Sequence, residues 1–258
     1  RRRFGDGPVI ALNVHGDVVP PGAGWTHDPY AGEIANGRMY GRGVAVSKSD
    51  IATYAYAVRA LQATADARRG GVELHITYDE EFGGRCGPQW LLAHDLTDPD
   101  YALCPGFSYE VGIAHNGCIQ LEVIVHGRAA HAAMPGTGVD ALRAANLLLD
   151  ALYRYAGDLA KTHSRVPGID APTLVVGRIE GGINTNVVPD RISLKLDRRV
   201  IPEENAIDAE YALRAAIERT ALASPGTTIE VRRLLRAKAL APLPGHEALV
   251  SALQGHAR

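Results

Sequence analysis

Cysteine is scarce in this chain. There are three in 258 residues (Cys86, Cys104 and Cys118), an odd number with no metal-ligand spacing. A disulfide-stapled framework is excluded, and a reducing compartment, the cytoplasm, is expected. Charge of one sign is also lacking. The chain carries 27 Lys and Arg against 29 Asp and Glu, a net −2, which argues against a dedicated nucleic-acid binder. No apolar run approaches the ~20 residues needed to span a bilayer. No Gly-x-Gly-x-x-Gly turn follows the first strand pattern, so the phosphate cradle of a dinucleotide enzyme is missing. No Gly-x-Ser-x-Gly elbow of a serine hydrolase occurs. No leader segment is readable at Arg1, where three arginines run almost directly into a strand pattern, and a fragment is expected.

What is present suits a globular protein. Apolar residues make up 46% and charged residues 22%, enough to build a real core. Pro8 to Val14 is an apolar run of strand length, followed by His15-Gly16-Asp17 and a loop rich in Gly and Pro. Ser47, Ser49 and Asp50 supply capping groups for a helix in which Ile51, Ala55, Val58 and Leu61 recur at helical spacing. Val72 to Tyr78 alternates as a strand and ends in Asp79-Glu80-Glu81. A short helix from Pro88 to Leu96 and a short strand from Tyr101 to Cys104 follow. This alternation predicts a parallel sheet with crossover helices. Beyond Gly117 the order is strand (Ile119–Val125), helix (Val139–Tyr155), two strands (Thr173–Ile179 and Ile192–Leu196), helix (Ala206–Leu222) and strand (Ile229–Leu235). That is the β-α-β-β-α-β order of a ferredoxin-like unit. A last helix begins at His246. A sheet of three parallel strands is a poor finished domain, which strengthens the expectation of a fragment.

Ligand crevices of open α/β sheets lie beyond the carboxyl ends of the strands. His15 and Asp17 end one predicted strand, and Asp79, Glu80 and Glu81 end the next. A histidine can ligate a metal while a nearby aspartate fixes its tautomer. Of two adjacent glutamates, one can ligate while the other serves as general base. Either cluster alone reads more simply as a solvated loop. Two at the ends of consecutive strands favour a site.

Further segments carry a resemblance. They are His15-Gly16-Asp17-Val18-Val19-Pro20, Trp25-Thr26-His27-Asp28-Pro29-Tyr30, Met39-Tyr40-Gly41-Arg42-Gly43 and Tyr78-Asp79-Glu80-Glu81-Phe82-Gly83-Gly84. To these add Gly127 to Pro135 and Gly181 to Pro189. In this order they resemble the dinuclear zinc metallopeptidase family of aminoacylases, carboxypeptidase G, acetylornithine deacetylase and succinyl-diaminopimelate desuccinylase. The resemblance implies a parallel-sheet catalytic domain, incomplete here, with an inserted ferredoxin-like α+β lid or dimerisation domain. The implied boundaries are 1–116 for the first part of the catalytic domain, 117–236 for the lid and 237–258 for the start of the catalytic domain's second part. It implies a small-molecule amide substrate, such as an N-acyl amino acid, and a homodimer paired through the lid, with no nucleic acid or membrane partner. His15 and Glu81 would ligate zinc (one or two ions, with cobalt or manganese as alternatives), Asp17 would orient His15, and Glu80 would be the general base. His131 would stabilise the oxyanion across the dimer interface, and Asn186 and Arg199 would bind the substrate carboxylate. Arg199 neighbours Arg198 in strand alternation, and the sequence barely decides which points inward.

Two positions depart from the family pattern. Val46 stands where a metal-bridging aspartate is expected, and Gly106, in the run Cys104 to Ser108, where a second acidic ligand is expected. A last histidine ligand would lie beyond Arg258. Asp50, Glu110 and His115 are possible substitutes, Asp50 being more simply a helix-capping or first-turn carboxylate. A single-metal or non-catalytic binding relative is the alternative reading.

Overall fold

The computed structural model describes residues 1–64, 69–106, 110–221 and 223–256. Phe107, Ser108 and Leu222 of the expected elements lie outside the described residues. The chain divides into two compact units, 1–111 with 248–258, and 112–247.

The first unit is built from β1 (Arg2–Arg3), β2 (Val9–His15), β3 (Glu33–Ala35), β4 (Arg38–Tyr40), α1 (Ser49–Ala63), β5 (Gly71–Thr77), α2 (Pro88–Ala93) and β6 (Tyr101–Leu103). Strands β5, β2 and β6 are parallel, in the order β1-β5-β2-β6. β2 lies between two partners and buries Val9, Ala11, Leu12 and Val14, which is why it reads as a continuous apolar run. The register pairs His15 with Thr77, so the residues just after both strands emerge side by side. α1 lies against β2 and β5.

Three local features differ from the sequence reading. Arg2–Arg3 pairs antiparallel with β5. The Gly/Pro loop folds its middle into the β3–β4 hairpin, and α2 ends at Ala93 rather than Leu96. Ser47 does not cap α1. It is fully buried, and its Oγ accepts the His15 N–H at 3.2 Å.

The second unit contains β7 (Gly117–His126), β8 (Ala130–His131), α3 (Ala141–Leu159), β9 (Thr173–Gly181), β10 (Val187–Val188), β11 (Arg191–Val200), α4 (Ala206–Ala221) and β12 (Thr228–Ala237). Its sheet is antiparallel, in the order β12-β7-β11-β9, which is the split-βαβ arrangement. α3 starts where the Asp140 carboxylate accepts from the N–H groups of Leu142 (2.9 Å) and Arg143 (3.1 Å), a side-chain N-cap. Ala141, Ala144, Ala145, Leu148 and Leu152 recur at helical spacing and bury one stripe of α3. With Leu213 and Ile217 of α4 they close over Ile119, Leu121, Val123 and Val125 of β7. α5 (His246–His256) ends the described chain. Among the described residues no helix is long and apolar enough to cross a membrane.

Candidate metal centre

The site starts from the parallel register. β2 delivers His15 and the following loop delivers Asp17. β5 delivers Asp79, after which Glu80–Phe82 form one tight helical turn. Asp17 joins the two strand ends. Its Oδ1 accepts the Glu80 N–H at 3.3 Å and its Oδ2 the Glu81 N–H at 3.0 Å. The same carboxylate stands 3.3 Å from His15 Nδ1, which also lies 3.1 Å from the Asp17 carbonyl. With Nδ1 held there, Nε2 is the free ring nitrogen, and Glu80 Oε2 lies 3.8 Å from it. Gly16 permits this approach, since a Cβ there would meet the Tyr78 ring at 2.4 Å.

His15, Glu80 and Glu81 each place a ligand atom within 4.8 Å of the others. One imidazole nitrogen and two carboxylates converge here, donor types that suit zinc, cobalt or manganese, with His15 and Glu81 placed to ligate and the Glu80 carboxylate beside them. The residues therefore fit one ion. Glu80 is crowded: burial pushes its carboxyl up, Glu81 and Asp17 add to the rise, and His15 pulls it back.

The other expected ligand positions remain apolar or empty of side chain. Val46 adopts an extended conformation (φ −139°, ψ 123°) inside the tight turn Val44–Lys48. That turn follows Gly43, whose φ of 74° needs glycine. Among the described residues, a Cβ on Gly106 would meet nothing within 4 Å. Of the substitutes, His115 belongs to the second unit, where its backbone bridges Leu240. Neither it nor Glu110 belongs to the three-residue ligand group. Asp50 lies in the first turn of α1. Among the described residues its Oδ2 is buried without a hydrogen-bond partner, and burial raises its carboxyl while a backbone hydrogen bond and then His15 lower it.

Two neighbours escaped the sequence reading. The Tyr54 hydroxyl is raised by burial and then by Cys104 and Asp50. The Cys104 thiol is raised by burial and by Glu80. The i,i+4 spacing of Asp50 and Tyr54 on α1 was a readable signal, as was the place of Cys104 at a strand's carboxyl end.

The remaining predicted residues belong to the second unit. β8 pairs with β10, setting His131 opposite Val187, and the Asn186 carbonyl accepts the Ala132 N–H at 2.9 Å. The His131 ring is held by the Ala133 N–H, which donates to Nδ1 at 3.1 Å. Arg198 and Arg199 separate cleanly. Arg198 opposes Ile119 on the helix-covered face, is 1% exposed, and pairs with Glu204 at 2.5 Å. Arg199 takes the other face, half exposed, with Nε 2.8 Å from Asp197. It lies eight residue steps along β11 from Arg191, about 26 Å at roughly 3.3 Å per residue. The structure thus brings His131 and Asn186 together at the separate two-stranded β8–β10 sheet, which leads into β11 at Arg191, and sets Arg199 at the far end of β11.

A parallel sheet with a histidine-carboxylate cluster at the carboxyl ends of its strands places this unit among α/β folds that carry a candidate metal centre there. The model of Peptidase family M20/M25/M40 matches residues 11–258, and the chain belongs to that family. Succinyl-diaminopimelate desuccinylase of Wolinella succinogenes is 30% identical over 229 residues, 84% of this chain and 60% of that protein. The enzyme of the same name from Gluconobacter oxydans is 38% identical over 144 residues, 52% of this chain and 37% of that protein. The chain thus spans at most about 60% of the length of these relatives. Among solved structures, the dipeptidase Dug1p of Saccharomyces cerevisiae superposes with a TM-score of 0.71 at 16% identity, covering 97% of this chain and 66% of that one. The M20 metallo-carboxypeptidase Sso-CP2 of Sulfolobus solfataricus gives 0.71 at 16%, covering 88% and 64%. These two likenesses establish the fold.

Proposed function

We propose that this chain carries the catalytic centre of a metal-dependent amide hydrolase acting on an N-acyl amino acid or a small peptide-like amide. The observation that supports this most is the Asp17-braced cluster of His15, Glu80 and Glu81. The names of the curated relatives make N-succinyl amino acids the first substrates to try. His15 and Glu81 would hold a divalent ion, zinc by preference, which supplies Lewis acidity towards the scissile carbonyl and acidifies a water. Glu80 takes the proton of the attacking water and passes it to the leaving amine. Asp17 keeps the His15 ring in the ligating tautomer. His131 donates to the developing oxyanion, and Asn186 and Arg199 bind the substrate carboxylate.

The second unit is assigned as a lid that pairs two copies. β9 ends its sheet and exposes Val175 and Ile179, as an edge that pairs would. Because Arg199 stands at the far end of β11 from Arg191, where the chain arrives from the separate β8–β10 ladder of His131, Arg199 and the His131–Asn186 segment serve different active sites of the homodimer. Three cysteines free of disulfides fit the cytoplasm.

The test is elemental analysis for zinc, cobalt and manganese, with turnover of N-succinyl and N-acetyl amino acids before and after chelation. Turnover that chelation abolishes, and that Glu80→Gln lowers by about 10²–10⁴-fold, is expected. Metal-free protein, or turnover indifferent to both changes, overturns the proposal. Mixing His131→Ala with Glu80→Gln protein should restore part of the activity, and no recovery would overturn the shared-site assignment.

A further inference from the structure

The second unit carries a positively charged groove far along the sequence from the metal-centre residues. Glu210 of α4 is 4% exposed and sits among three guanidiniums. Its Oε1 accepts Arg214 Nε at 2.9 Å, and its Oε2 accepts Nη1 of both Arg233 and Arg236 at 3.1 Å. These residues, with Ile207 and Tyr211, line a cavity of about 470 Å³.

The convergence is built by the backbone. On β12, Arg233 opposes Leu121 and Leu235 opposes Gln120, so Leu234 is an extra residue, a β-bulge. Strict alternation would send Arg233 and Arg236 to opposite faces. The bulge instead sets Arg236 opposite Ile119, so both arginines share the helix-covered face. On α4, Ile207, Glu210, Tyr211 and Arg214 follow i, i+3, i+4, i+7 and form one stripe beside the stripe that packs on the sheet.

The charge does not balance within this group. A buried carboxylate needs a cation, and one guanidinium neutralises it. Here burial alone would raise the Glu210 carboxyl, and its bonds to Arg214 and Arg233 hold it below the ordinary range, so it contributes a single negative charge. Among the described residues the ion pairs of Arg214, Arg233 and Arg236 all end on Glu210. Two positive charges are therefore uncompensated in a concave site. A guanidinium offers five N–H donors, and Arg233 and Arg236 each spend one on Glu210 among the described bonds. Guanidiniums whose spare donors line a groove are suited to a tetrahedral oxyanion, which accepts several forked hydrogen bonds at once.

We propose that the groove between α4 and β12 is a binding site for a phosphate-class dianion, held by Arg233 and Arg236 with Glu210 as the brace that aims them. The exposed Tyr211 and Ile207 provide an apolar wall for the organic body of a phosphomonoester.

The experiment is calorimetric titration of the purified protein with inorganic phosphate and with phenyl phosphate in low-salt, phosphate-free buffer. Saturable binding of one equivalent is expected. Equal affinity for the two probes identifies the free ion as the ligand class, and tighter binding of phenyl phosphate identifies a phosphomonoester. Arg233→Ala and Arg236→Gln should each weaken binding at least about tenfold, the cost of about one charge-assisted pair. Arg232→Ala should leave it unchanged, because that guanidinium pairs with Glu230. Loss in the groove variants alone also separates this site from any anion bound at the metal centre. No saturable binding by wild type, or full binding by both groove variants, overturns the proposal. A second measurement needs no variant. Phosphate should protect Arg233 and Arg236, and not Arg232, from phenylglyoxal, read by mass spectrometry. Equal labelling with and without phosphate overturns it.

Discussion

Glu73 offers the sharpest test of the physical reasoning. It points into the interior of the first unit from β5 and is 5% exposed. Thr97 Oγ1 donates to it at 2.6 Å, His75 Nε2 lies at 3.0 Å, and Arg1 Nε stands 2.5 Å from its other oxygen. Burial alone would raise its carboxyl. The bonds from Thr97, His75 and Arg1 outweigh burial and lower it from 4.5 to about 2. The folded value lies below the unfolded one, so the group stabilises fully above the unfolded value, near ~4.3, and this stability is lost as pH falls towards 2. A difference of roughly 2.3 units at 1.36 kcal/mol each comes to about 3 kcal/mol at neutral pH, of which about half should remain at pH 3. Glu73→Gln removes the charge while keeping the shape. It should cost about 2–3 kcal/mol at pH 7 and abolish most of the loss of stability between pH 5 and pH 2. Both tryptophans, Trp25 and Trp90, belong to the first unit, so tryptophan fluorescence in urea reports that unit alone. If the variant and the wild type lose stability in parallel over that range, Glu73 is not the titrating brace and the reasoning fails.

Three other perturbations have defined outcomes. Asp17→Asn should weaken metal affinity about 10–100-fold with little loss of fold, read by competition with a chromogenic chelator. Leu148→Ala, at a fully buried position of α3, should destabilise the second unit by about 2–5 kcal/mol, read by circular dichroism in urea with the tryptophan-reported transition unmoved. Val46→Asp should raise the bound metal per chain, read by elemental analysis. An unchanged ratio would show that the turn Val44–Lys48 does not present that side chain to the centre.

Much of the fold could be read from periodicity because its strands bury whole faces. β2 and β7 are apolar for a reason that leaves a pattern: each lies between two other strands. The pieces that escaped are held by contacts rather than by pattern. Arg2–Arg3 is a strand only because β5 offers it an edge, and β3 and β4 are three residues each. At the candidate site, His15, Asp17, Glu80 and Glu81 were visible as two polar clusters at strand ends, and parallel pairing explains their meeting. Ser47 was misread because its local signal, a hydroxyl ahead of a helix, is also what a buried bond to the His15 N–H looks like in sequence. Arg198 and Arg199 could not be told apart from alternation alone. The partner Glu204, six residues on, is what buries one of them.

The carboxylates at the metal centre carry a last consequence. Asp17, Glu80 and Glu81 surround one imidazole, and the two neighbouring acids help to raise Glu80. Like charges held this close oppose folding unless a cation joins them. A divalent ion that binds the folded first unit should therefore stabilise it by mass action, by about 2.7 kcal/mol at a hundredfold excess over its Kd. The tryptophan-reported transition should shift to higher urea on adding zinc, while a transition of the second unit followed by circular dichroism should not move. His15→Ala should remove the shift, since it deletes the nitrogen donor and leaves Glu80 and Glu81 alone. A zinc effect that survives in His15→Ala, or that stabilises both units alike, would mean that the metal binds elsewhere and that the strand-end cluster is only a hydrogen-bonded brace.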